Sequence, residues 1–171
     1  MRGRLTPLGK EAVREMERTG VAVDVSHLSR RGFRDVAGLA RAPFLASHSN
    51  CNAVYRHPRS LTDRQIDCII TRGGLIGINL YRAFLGRPGS AGFAAAHRHI
   101  RHVLERGGEH VLALGSDFDG CELEPCFAGL KAGSISGLPA CERDAQEQAD
   151  ALFYKNAEKF FKPFYSRKQI C

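Results

Sequence analysis

No stretch of the sequence approaches the ~18–20 consecutive apolar residues that a membrane span needs. The opening residues, MRGRLTP, carry no apolar core of a secretory signal. No CysXxxXxxCys pair occurs, which removes the usual zinc-finger frameworks. Gly73, Gly74 and Gly77 do not fit GlyXxxGlyXxxXxxGly, so no dinucleotide or phosphate loop is expected. GlyXxxSerXxxGly is absent too, so Ser47-His48-Ser49 is no nucleophile elbow. Linkers and low-complexity segments are missing as well. The length of 171 residues is short of the roughly 250 that a complete (β/α)₈ barrel takes, with about 200 as a floor. Together these absences predict one cytoplasmic globular domain, not bound to a membrane.

What is present agrees with that class. The chain is 43% hydrophobic and 25% charged, near globular averages. Its net charge of +7 is uneven, because residues 1–110 hold 18 Lys and Arg against 9 Asp and Glu. Such a surplus can mark an anionic partner. Here the basic residues are mostly arginines spread singly or in pairs, which reads as solvated helix faces. No helix-turn-helix, finger or aromatic stacking signature accompanies them, so no nucleic-acid partner is expected. The six cysteines (51, 68, 121, 126, 141 and 171) read as free thiols in a reducing compartment.

Apolar runs alternate with helical patterns. Thr6 and Pro7 open a helix that Gly20 closes, with Leu8, Ala12, Val13 and Met16 as its apolar stripe. Further helices are predicted over 29–39, 62–72, 92–106 and 144–161, followed by a short basic tail from Lys162. Strands are predicted over 21–27, 42–48, 75–81 and 110–117. Strands that are apolar throughout and separated by helices imply a parallel sheet covered by helices, an α/β fold of four βα units.

Each predicted strand carries a polar side chain near its end: His27, His48, Asn79 and Asp117. Active sites of parallel α/β proteins lie at the carboxyl ends of strands. A single strand-end histidine is ordinarily a hydrogen-bonded structural residue. Two in one register with an aspartate make a natural ligand set for zinc or a similar ion. The other histidines fall in loops or on helices. The sequence AspPheAspGly at 117–120 lacks the spacing and terminal Glu of a calcium loop.

At these residues the sequence resembles the membrane (renal-type) dipeptidase family, peptidase family M19, and its bacterial members in particular. The matching segments are RLTPLGKEAVREM (4–16), DVSHLS (24–29), ASHSNCNAVYRHPRSLTD (46–63), GGLIGIN (73–79), LGSDFDG (114–120) and LFYKNAEKFF (152–161). They fall in family order over most of the chain. The resemblance implies a TIM-type (β/α)₈ barrel, of which this chain would supply the C-terminal four βα units. It implies a two-zinc centre that hydrolyses dipeptides by attack of a metal-bridging hydroxide. His27 and His48 match the histidines of one zinc. Asp117 matches the aspartate that serves the other metal and assists proton transfer. Arg59 matches the arginine that binds the substrate carboxylate, a task suited to its planar fork.

The chain departs from the family pattern in two ways. No HisXxxAsp occurs anywhere, and no Glu stands at a predicted strand end to bridge two metals. The segment 130–147 is shorter than its family counterpart. The expectation is therefore a metallodipeptidase that is incomplete as an isolated chain, or else an inactive fragment or a subunit of a split barrel. Four strands would leave parallel edges open, which predicts a homo-oligomer or a complementary N-terminal half as partner.

Overall fold

The structure, a computed structural model, describes residues 3–87, 92–118, 120 and 150–166. Helix α1 (Pro7–Arg18) starts where the Thr6 hydroxyl accepts the Gly9 N–H at 3.1 Å, and it ends before Gly20 at φ +71°. Helix α2 (Arg30–Leu39) starts at Ser29, whose hydroxyl accepts from Gly32 N at 3.0 Å. A strand β1 (Leu45–Ala46) and helix α3 (Asp63–Thr71) follow. Next come β2 (Leu75–Asn79), the short α4 (Arg82–Leu85), α5 (Phe93–Leu104) and β3 (Leu112–Ser116). A π-helical turn at Ala151–Lys155 leads into α6 (Asn156–Ser166).

The strands form one parallel sheet in the order β1-β2-β3. The α/β class with parallel strands is as expected; the number of strands is not. The predicted strand 21–27 contributes only one parallel bridge, Asp24 with Leu45, flanked by Val25 N to Leu45 O (2.8 Å) and Leu45 N to Val23 O (3.0 Å). The reason is local. The Asp24 carboxylate accepts the Ser26 N–H at 2.9 Å, which folds the chain into a turn before a longer ladder can form. The predicted strand 42–48 shrinks to two residues for similar reasons. Arg41 and Ala42 give their N–H groups to Glu17, Pro43 has none, and Ser47 N turns to Asp24 at 3.1 Å.

The two faces of the sheet bury different partners. Ala46, Ile76, Ile78 and Leu112 belong to the main core with Val36 of α2, Ile66 and Ile69 of α3 and Val103 of α5. Leu45, Leu75 and Ala113 belong to a second cluster closed by Phe160 and Phe164 of α6. Asn156 anchors that helix by donating to Glu109 O and Leu112 O at 2.7 and 2.8 Å. The predicted basic tail from Lys162 is thus helical as far as Ser166, with Pro163 inside the helix. Ion pairs tie flanking residues to helices: Arg4, ahead of α1, to Asp35 of α2 at 2.7 Å, and Arg106, just past α5, to Asp67 of α3 at 2.6 Å.

Among the described residues no helix is long and apolar enough to cross a membrane. Cys51 and Cys68 are free thiols. Cys121, Cys126, Cys141, Cys171, the segment 130–147 and the start of the helix predicted over 144–161 lie outside the described residues.

Candidate metal and carboxylate site

The carboxyl ends of the strands carry the site, and a close backbone contact sets its floor. The Ser47 carbonyl lies so near Gly77 of β2 and Gly115 of β3 that a Cβ on either would sit 1.9 Å from its oxygen. Ser49 N then donates to Gly77 O at 2.7 Å, so the chain after β1 is clamped to β2 on both sides of His48. Buried Asn50 extends the clamp: its Nδ2 donates to Asn79 O and Phe84 O, and its Oδ1 accepts Asn79 N.

His48 and His27 meet above this floor, Nε2 to Nε2, at 2.9 Å. Their protonation follows from what surrounds them. The Ser47 hydroxyl donates its one hydrogen to Asp24 Oδ2, in a very short bond. The same oxygen lies 2.7 Å from His48 Nδ1 and can only accept there, so Nδ1 carries a hydrogen and Nε2 of the neutral ring presents a lone pair. On the other ring, Arg59 Nη2 stands 3.2 Å from His27 Nε2. Guanidinium has only hydrogens to give, so this nitrogen too presents a lone pair. Two acceptors therefore face each other with no hydrogen between them. A cation satisfies both once Arg59 Nη2 yields the single His27 lone pair, and a pair of imidazole nitrogens is a donor set that zinc and similar divalent ions accept. The residues present thus fit a metal on the histidine side.

Electrostatics support the neutral state of His48. Burial pushes His48 below the ordinary imidazole value; Asp117 and Asp24 pull it up, and Arg59 and His27 push it further down. Partial burial pushes the Asp24 carboxyl up, but bonds from Ser47 and Ser26 outweigh it and hold the group below its usual range. Arg59 is lowered by burial, against the pull of Asp117 and Asp24.

Asp117 stands just past the end of β3 in left-handed backbone, φ +70°, after Ser116 at φ +36°. Such conformations are uncommon outside glycine and collect at functional sites. Asn79 Nδ2 donates to its Oδ2 at 3.0 Å. Among the described residues no group of three His, Cys, Asp or Glu converges on one point as a metal cage. The structure joins His27, His48 and Arg59 directly, while Asp117 reaches His48 and Arg59 through its field and is held by Asn79.

Arg59 also packs its guanidinium over Phe84, 5.9 Å from the ring centre, beside His57 at 4.5 Å from the same ring. A cleft of about 800 Å³ opens here. His99 is fully buried: it accepts Cys51 N on Nδ1 (3.1 Å) and donates from Nε2 to Leu85 O (3.1 Å). His102 bonds Asp63 at 2.9 Å. Sequence reasoning missed Asp24, Ser47 and Asn50. Their signal was proximity: each lies within three residues of His27 or His48.

The sequence model of the membrane dipeptidase family (peptidase family M19) matches residues 1–134. A Klebsiella pneumoniae protein named for its position 5′ of pqqA is 36% identical over 139 residues, which are 79% of this chain and 49% of that protein. A Schizosaccharomyces pombe protein named an uncharacterised dipeptidase, C965.12, is 37% identical over 71% of this chain and 30% of its own length. The chain therefore spans about half, or less, of these relatives. Among solved structures, a metallopeptidase from Rhodobacter sphaeroides, crystallised with a phosphinate mimic of the dipeptide L-Ala-D-Ala, superposes with a TM-score of 0.81 at 33% identity. The overlap covers 93% of this chain and 47% of that one. Another, the M19 dipeptidase AC, gives 0.80 at 32% identity. With the family match covering well over half of its residues, this chain belongs to the membrane dipeptidase family, peptidase family M19.

Proposed function

We propose that this chain carries the histidine-bearing part of a zinc-dependent dipeptidase site. The observation that supports this most is the pair of Nε2 lone pairs held 2.9 Å apart, with Arg59 against one of them. His27 and His48 would hold one divalent ion. Arg59 would grip the α-carboxylate of the dipeptide in a bidentate fork. Asp117 would serve the second metal and accept or return a proton at its carboxylate, kept in position by Asn79. A divalent ion bound there supplies Lewis acidity, polarising a carbonyl and bringing the ionisation of water near neutral pH.

The triplet HisXxxAsp occurs nowhere in these 171 residues. In this reading any ligands of that kind come from outside them, from a complementary N-terminal half or another subunit. Purified chain with one equivalent of bound zinc, lost in His27→Ala and in His48→Ala, is the expected result. Hydrolysis of Ala-Ala with added Zn²⁺ is expected to be weak for the chain alone. Strong hydrolysis that survives both substitutions would overturn the assignment. No zinc uptake and no hydrolysis would favour the alternative reading of an inactive fragment.

A further inference from the structure

The cleft beside His27 is lined by more cationic groups than one carboxylate requires. Arg30 and Arg31, at the first turn of α2, line it together with Arg56 and Arg59. His27, His57, Ser29 and Asn52 complete the polar lining, and none of the lining residues is Asp or Glu. Arg59 is the inner member, half-buried against Phe84 and His27. Arg30, Arg31 and Arg56 are exposed at the mouth. Among the described residues no ion pair holds any of these three. Asp35, which shares a neighbouring hollow with Arg31, is already taken by Arg4 at 2.7 Å.

This placement works against the fold locally. Cations at the first turn of a helix oppose its dipole, and α2 has no acidic residue there to offset Arg30 and Arg31. Four guanidiniums around one cleft also repel one another, and an anion relieves both effects. A zwitterionic dipeptide brings one carboxylate, which Arg59 would take. With that carboxylate on Arg59, the three outer arginines would be left for the side chain of the residue that bears it.

We propose that the cleft selects dipeptides whose C-terminal residue is acidic, with Arg30, Arg31 and Arg56 as a collar for the side-chain carboxylate. The proposal rests on the dipeptide reading above and names its substrate class. Charge-assisted Arg–carboxylate bonds are about twice as strong as neutral ones, so an acid is favoured over its amide.

Calorimetric titration of the full chain at low ionic strength with Ala-Asp, Ala-Asn and Ala-Ala tests it without needing turnover. Ala-Asp is expected to bind at least about tenfold tighter than Ala-Asn, with a preference that fades as salt rises. Arg56→Ala and the double substitution Arg30→Ala/Arg31→Ala are expected to bring the Ala-Asp to Ala-Asn ratio toward one. Circular dichroism checks that these variants, which change four arginines in all, remain folded. Equal affinity for the three dipeptides overturns the collar and leaves the dipeptide site standing. Free aspartate binding as tightly as Ala-Asp overturns the collar as a dipeptide selector. Failure of all three dipeptides to bind, in the wild type and Arg59→Ala alike, overturns the dipeptide reading and the collar together.

Discussion

At the scale of single residues, the Ser47 hydroxyl matters more than its size suggests. It passes the charge of Asp24 to His48 Nδ1 and so fixes which nitrogen of the ring is left open. Partners of this kind typically contribute 10–100-fold to metal affinity. Ser47→Ala is therefore expected to weaken zinc binding by at least about tenfold in a chelator competition, and to remove the Nδ1–H signature of His48 from the NMR spectrum. His99 gives a second prediction at this scale. Burial pushes it down to about 4 from 6.5, despite the bond to Leu85 that pulls it up. The unfolded chain then binds more protons than the native one between those values, so stability falls as the pH falls. His99 contributes fully above about pH 6.5, and its contribution, about 3 kcal/mol, is gone by about pH 4. Urea midpoints at pH 7 and pH 4.5 are expected to differ less in His99→Gln than in the wild type. Cys51, pushed up to about 12 by burial, is expected to resist alkylation in the native state at neutral pH.

At the scale of elements, legibility followed how local the determining contacts are. The starts of α1, α2 and α3 were readable because Thr6, Ser29 and Thr62 mark them within one turn; Gln65 Oε1 accepts the Thr62 N–H at 2.9 Å. The strand at 21–27 was misread because its apolar pattern is real but Asp24 spends its carboxylate on the turn. That same residue was missed in the site, and for the same reason: a carboxylate inside an apolar run gave no sign of which backbone it would cap. The last helix was read as ending at Phe161, yet α6 continues through Pro163 to Ser166. A proline there leaves only the Lys159 carbonyl without its helical donor, and Lys159 is exposed to water. His27, His48 and Arg59 were legible as chemistry, but their contacts join residues 21 and 32 positions apart and required the fold. The Gly77 contact gives this scale its own prediction. Gly77→Ala places a methyl group into the Ser47 carbonyl, so it is expected to cost at least about 2 kcal/mol in denaturant unfolding and to weaken zinc binding. Gly107→Ala has open space around its Cβ and a strained φ of +76°, so it is expected to lose about 1–2 kcal/mol and leave zinc affinity alone.

At the scale of the whole molecule, one sheet serves two ends. Its carboxyl rim carries the imidazoles and Arg59, and its inner face is covered by the phenylalanines of α6. Phe160→Ala is expected to destabilise the protein by about 3 kcal/mol, because the ring closes the cluster of Leu45, Leu75 and Ala113. The superposition on about half of a solved M19 metallopeptidase shows how well the parallel sheet and its helices keep the family arrangement. The aromatic helix also sets an order of events during synthesis. Leu45 leaves the ribosome 115 residues before Phe160 arrives to cover it. At about 5–20 residues per second that is a wait of roughly 6–23 s, during which the inner face of the sheet is bare. Nascent chains stalled before residue 150 should therefore engage chaperones and resist proteolysis poorly, whereas chains released beyond residue 166 should not.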